Sequence, residues 1–165
     1  MKVFAHSSGE STELDLNRAI ESTLVIARNE YKYVADVETD LGELPRVWCH
    51  GGEINQVRLT LLPNAAHAVG DAVKGTQKRG RIHVRTRVDG DRIVIAIADT
   101  GTGIPTAVRD RIFDPFFTTK PVGKGTGQGL AIARSVIVDK HRGSLTFDSE
   151  LGKGSTFFVR IPIRV

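Results

Sequence analysis

Between Leu14 and Ala27 the apolar residues Leu16, Ile20, Leu24 and Ala27 recur every three or four positions, with polar residues between them. That period marks one face of an amphipathic helix, and Thr12 or Asp15 stands where an N-cap belongs. The pattern then tightens, and residues 33–41, YVADVETDL, read as a strand. A connection containing Pro45 leads to a second helical stretch from Glu53 to Val69. Two strands follow, RIHVRTRV at 81–88 and DRIVIAIAD at 91–99, and the Asp89-Gly90 pair between them is a strong hairpin signal. Beyond a loop over 99–105 come a short helix near Ala107–Ile112, a glycine-rich loop and a helix over 129–139. SLTFDS and GSTFFVRIPI read as a closing pair of strands.

Helices and mostly antiparallel strands alternate here without the strand-helix-strand rhythm of a doubly wound parallel sheet. The expected fold class is therefore α+β, a two-layer sandwich of a mostly antiparallel sheet packed on helices, with a glycine-rich lid. One domain over residues 12–165 accounts for the periodic segments, and residues 1–11 read as a tail. In that arrangement the loops DTGTGIP and VGKGTGQG lie side by side.

Composition changes little, since 40% hydrophobic and 25% charged residues are ordinary for a globular chain of 165. No run of about 18 apolar residues suggests a membrane span. MKVFAHSSGES has no apolar stretch of signal-peptide length and Cys49 is the only cysteine, so a reducing, cytoplasmic setting is expected. The formal charge is +4, concentrated in KGTQKRGRIHVRTR. There Ile82, Val84, Thr86 and Val88 alternate with Arg81, His83, Arg85 and Arg87, and no aromatic residue is interleaved for base stacking. A solvated sheet face is the reading favoured over a nucleic-acid surface.

Three stretches carry candidate chemistry. FFTTKPVGKGTGQGLAI has glycines at 123, 125, 127 and 129. It fails the P-loop spacing and also the dinucleotide G-x-G-x-x-G, leaving either a flexible loop or a phosphate cradle of another kind. In IVIAIADTGTGIP an apolar strand delivers Asp99 into a turn through Gly101 and Gly103. Burying that carboxylate requires a partner: either the exocyclic amine of adenine or a backbone N–H of its own turn. In NAAHAV, Asn64 and His67 share a helix face with small alanines, which leave room for a ligand. Asparagine offers an oxygen suited to Mg²⁺, which completes its shell with water and phosphate.

In this order the stretches resemble the ATP-binding superfamily shared by gyrase, the large heat-shock chaperone, sensor histidine kinases and the mismatch-repair ATPase. NAAHA resembles its N box, DTGTGIP its first glycine box, RIFDPFFTTKPVGKGTGQGLAI its phenylalanine and second glycine boxes, and GKGSTFF its last glycine box. The likeness is greatest to the catalytic domain of histidine kinases. It implies ATP and Mg²⁺ as cofactors, with Asn64 on the metal and His67 near the phosphates. It further implies Asp99, Gly101, Gly103 and Ile104 around adenine, with Ser155 and Thr156 contributed by the last box. Phe113, Phe116 and Phe117 would anchor a lid over 117–127 that orders around nucleotide. Gly125, Thr126, Gly127, Gln128, Gly129 and Leu130 would meet the phosphates, while Lys120 and Lys124 are either lid cations or solvated lysines.

The resemblance also implies the reaction. Hydrolysing members place a glutamate four residues before the N-box asparagine, and here Thr60 stands there, a poor base for water and at most a weak catalytic residue. Transfer to histidine needs positioning more than base catalysis. The expected activity is thus protein-histidine kinase, acting on a separate dimerisation and phosphoacceptor domain and, through it, a response-regulator receiver. Residues 1–11 would be the end of that acceptor domain's last helix. No His of this chain has the acceptor setting, so the chain alone is expected to be a monomer without autophosphorylation. Neither nucleic-acid nor direct membrane contact is expected. Arg58, Thr60, Pro63 and Gln128 depart from the family's pattern, and Pro63 is expected to kink or break the helix before Asn64. The alternatives are a degenerate domain that docks a partner and, less favoured, a gyrase-like ATPase.

Overall fold

The computed structural model describes residues 11–115, 117 and 129–164. A short strand β1 (Thr12–Leu14) precedes helix α1 (Leu16–Ile26), so Thr12 is not the cap. Asp15 is: its carboxylate accepts the Arg18 N–H at 3.2 Å. The expected apolar face holds, with Leu16, Ile20 and Leu24 buried. A one-turn helix α2 (Arg28–Tyr31) follows, tied back by the Tyr31 hydroxyl, which donates to Leu24 O at 3.0 Å. Strand β2 (Ala35–Leu41) lies within the stretch read as extended, whereas β3 (Val47–Cys49) and its antiparallel partner β1 are too short for periodicity to reveal.

Helix α3 (Gly51–Val73) starts earlier and runs longer than its apolar pattern suggests. It continues through Pro63, so the helix is not broken before Asn64. Leu61, Leu62, Ala65, Ala66 and Val69 are buried around that point. Their packing holds the helix against the about 3 kcal/mol that an interior proline costs.

Strands β4 (Gly80–Asp89) and β5 (Arg92–Asp99) form the foreseen hairpin, with Gly90 at φ +66° in its turn. The segment near Ala107–Ile112 is a 3₁₀ helix, Thr106–Arg111. The stretch over 129–139 is α-helical only from Gly129 to Ser135 (α4), then widens into a π-helical turn, Val136–Lys140. Strands β6 (Ser144–Glu150) and β7 (Gly154–Pro162) close the chain as expected.

Five strands make one sheet in the order β2-β4-β5-β7-β6, antiparallel except for the parallel β2–β4 pair. The core fills the space between one face of this sheet and α1, α3 and α4. Ile82, Val84, Ile93, Ile95, Ile97, Val159 and Ile161 face it from the strands. Arg81 and Arg85 of β4 are exposed, and Arg81 pairs with Glu38 of β2 at 3.5 Å, the solvated face that the alternation implies. Among the described residues no helix is long and apolar enough to cross a membrane.

Candidate functional site

The C-terminal half of α3 and the end of β5 bound a cleft of about 210 Å³. Asn64, His67, Ala68 and Asp71 line it from α3 at three- and four-residue spacing, one stripe of the helix. Leu61, Ile97, Ile104, Leu130 and Phe157 give it apolar walls, and Asp99 and Ser155 bring polar atoms from β5 and β7. Residues distant in sequence thus meet in one cleft.

Asp99 is 9% exposed. Its Oδ1 accepts the Gly101 N–H at 2.9 Å, and the Ser155 N–H is a second donor. Burial pushes the carboxyl pKa above its ordinary value, and these two hydrogen bonds pull it back. Of the two sequence readings of Asp99, the structure shows the turn cap, and the same carboxyl also lines the cleft. A carboxylate has about four lone-pair sites, so acceptor capacity remains for a donor in the cleft.

The glycines after Asp99 serve packing first. Gly101 does not line the cleft; a Cβ there would run into Ala68 of α3. Gly103 lines it with φ +76°, and a Cβ there would collide with the Glu150 carbonyl and the Leu151 backbone. The loop is fastened to β6 by Ser149, whose hydroxyl accepts the Ile104 N–H at 2.8 Å. Arg109 adds two bonds, to Ile104 O at 3.0 Å and Ser149 O at 2.8 Å. Neither Ser149 nor Arg109 carries a sequence signal, because each acts only through a loop distant along the chain.

Other residues fall in different places from those the boxes imply. Thr156 lies outside the cleft lining: neighbouring strand residues point to opposite faces, and Ser155 takes the inner one. Thr60 is also outside the lining; its hydroxyl donates to Gln56 O at 3.0 Å, and it packs against Gly129 at the start of α4. Phe117 lines the cleft with the Arg111 guanidinium 4.7 Å from its ring centre, while Phe113 packs against Phe147 at 6.0 Å. Phe116, Lys120, Lys124, Gly125, Thr126, Gly127 and Gln128, and with them nearly all the expected lid, lie outside the described residues. His67 places Nε2 3.2 Å from Glu30 Oε2 of α2.

Asn64, the residue expected to meet Mg²⁺, lines the cleft, and the described residues contain no cluster of three or more His, Cys, Asp or Glu able to hold a metal. That donor set fits an ion carried mainly by phosphates and water rather than a resident metal. Arg58 lies elsewhere, buried at 7% exposure, with Nη2 donating to Asn55 Oδ1 at 2.8 Å and with Nε and Nη1 unpartnered.

Residues 53–165 match the family model described as histidine kinase-, DNA gyrase B-, and HSP90-like ATPase. The sensor kinase CckA of Brucella abortus (strain 2308) is 40% identical over 120 residues, 67% of this chain and 12% of that protein. A nucleotide-free structure of the catalytic domain of histidine kinase ThkA superposes with a TM-score of 0.80 at 30% identity, covering 94% of this chain and 97% of that one. The structure of ThkA in complex with response regulator protein TrrA superposes with a TM-score of 0.71 at 27% identity, covering 92% and 41%. The chain spans 12% of the length of CckA and 31% of that of the sensor histidine kinase ZraS of Klebsiella oxytoca.

Proposed function

The chain belongs to the histidine kinase-, DNA gyrase B- and HSP90-like ATPases, as the ATP-binding domain found in sensor histidine kinases, and we propose that it binds Mg·ATP and passes the γ-phosphoryl group to a histidine on a separate domain. The observation that carries this reading is Asp99, a nearly buried acceptor lining a largely apolar cleft. A planar base with an exocyclic amine matches it, stacked between walls such as Ile97, Ile104 and Phe157. The volume, about 210 Å³, is below the about 300 Å³ at which pockets begin to enclose a whole drug-sized ligand. The polyphosphate would therefore extend towards the mouth, past Asn64 and His67. Asn64 would hold Mg²⁺ through its side-chain oxygen, and the ion would neutralise phosphate charge there.

The nucleophile follows from what the cleft lacks. Thr60, at the position of the hydrolytic glutamate, is a poor base and does not line the cleft, so no described side chain at that position activates water. A neutral imidazole is nucleophilic without such a base. The proposed acceptor is a histidine of another domain: none of the chain's five histidines has the sequence setting of an acceptor, and His141 is fully buried against His50. A response-regulator receiver is the proposed downstream partner, a reading supported by the structure of ThkA in complex with response regulator protein TrrA. A cytoplasmic setting fits this role. The docking-module alternative drew on Pro63 and Thr60, and the continuity of α3 removes only the ground of a helix broken at Pro63.

Calorimetric titration of Mg·ATP tests the reading: heat is expected with the wild-type chain and at least a tenfold weaker interaction with Asn64→Ala. With an acceptor hairpin and labelled ATP, acid-labile phosphohistidine should form. Absence of heat at millimolar ATP would sink the proposal, and steady phosphate release without acceptor would point to hydrolysis instead.

A further inference from the structure

Glu30 belongs to none of the nucleotide-binding motifs, yet it reaches the cleft through His67. Its Oε2 lies 3.2 Å from His67 Nε2, a contact between residues 37 apart in sequence that joins α2 to α3. His67 is the only basic side chain among the described residues lining the cleft; the other ionisable ones, Asp71 and Asp99, are acids. A carboxylate only accepts hydrogen bonds, so this contact puts the proton on Nε2. Glu30 thus fixes how the one basic ring among the described cleft-lining residues is turned.

We infer that Glu30 is a positioning residue for recognition of the nucleotide's polyphosphate, acting through His67. The inference rests on the nucleotide reading of the cleft. Both side chains are about half exposed, at 43% and 49%, which keeps the effect modest.

Calorimetric affinities for Mg·ATP and for adenosine, which lacks phosphates, test it in the wild type, Glu30→Ala, Glu30→Gln, His67→Ala and the Glu30→Ala/His67→Ala double variant. Glu30→Ala is expected to weaken ATP by about two- to fivefold and to leave adenosine unchanged. Glu30→Gln, whose amide oxygen still accepts from Nε2, restores part of the loss. The double variant binds ATP no more weakly than His67→Ala alone, the non-additivity of residues acting as a unit. Equal weakening of ATP and adenosine by Glu30→Ala, or losses that add in the double variant, would overturn the role of Glu30 while leaving the nucleotide site intact. A wild-type chain that binds neither ligand would overturn the nucleotide reading and this inference with it.

Discussion

Asp99 sets ligand recognition against stability within one side chain. Burial raises its pKa, so the folded chain holds the proton more tightly than the unfolded one. The stability this group contributes is present below the unfolded carboxyl range and is lost as pH rises through the raised folded value. At neutral pH the ionised form is thus a cost to the fold. Asp99→Asn keeps an oxygen for the Gly101 N–H but offers an amine to an amine in the cleft. The expected outcome is a melting temperature at pH 7 equal to or above the wild type with ATP affinity at least tenfold lower; a lower melting temperature with unchanged affinity would contradict this account. Arg58 is the converse case, a buried charge with no contact to the cleft. Its Nε and Nη1 lack partners, and burial lowers its pKa. Replacing it by leucine removes the unsatisfied donors. A gain of about 1–3 kcal/mol is expected in urea denaturation, and a loss would show that the guanidinium is compensated. Its departure from an apolar helix position is visible in the sequence; its burial is not, because arginine at such a position more often reaches water.

At the scale of elements, α3 and the segment from α4 to His141 are joined at both ends. Gly129 meets Thr60 at one end. At the other, Lys140 Nζ pairs with Glu53 Oε2 at 2.9 Å, and the His50 N–H donates to His141 Nε2 at 3.0 Å. The fully buried His141 also donates from Nδ1 to Val136 O at 2.9 Å, across the π-helical turn. With Nε2 as acceptor the ring must be neutral, and burial lowers its pKa from the ordinary 6.5. The folded state therefore resists protonation that the unfolded chain accepts. This stability is fully present above about pH 6.5 and is lost as pH falls through the lowered folded value. His141→Gln should be less stable than wild type at pH 7 yet show a shallower decline between pH 7 and 5 in denaturant melts. An unchanged slope would assign that decline to other groups. Helix α3 also shows how far local rules reach: Pro63 marks a weak point in the sequence, but burial of Leu61, Leu62, Ala65 and Ala66 around it decides that the helix continues.

Across the whole molecule, the cleft exists because β5 lies in the middle of the sheet with α3 packed across it, bringing Asn64, Asp99 and Ser155 together from three elements. The sequence by itself determined most elements and the order of the motifs, because one-sided burial imposes a period that needs no partner to be read. It also held a clue that the motif boundaries obscure: on β7 the buried Ser155, Val159 and Ile161 share a parity that puts Thr156 on the other face. Only the tertiary structure decided that Gly101 makes room for Ala68, that Ser149 and Arg109 fasten the loop after Asp99, and that Glu30 holds His67. Each of these depends on which surfaces meet across dozens of residues. A periodic pattern states that a face is buried, while the identity of what covers it is set by the packing of the whole chain.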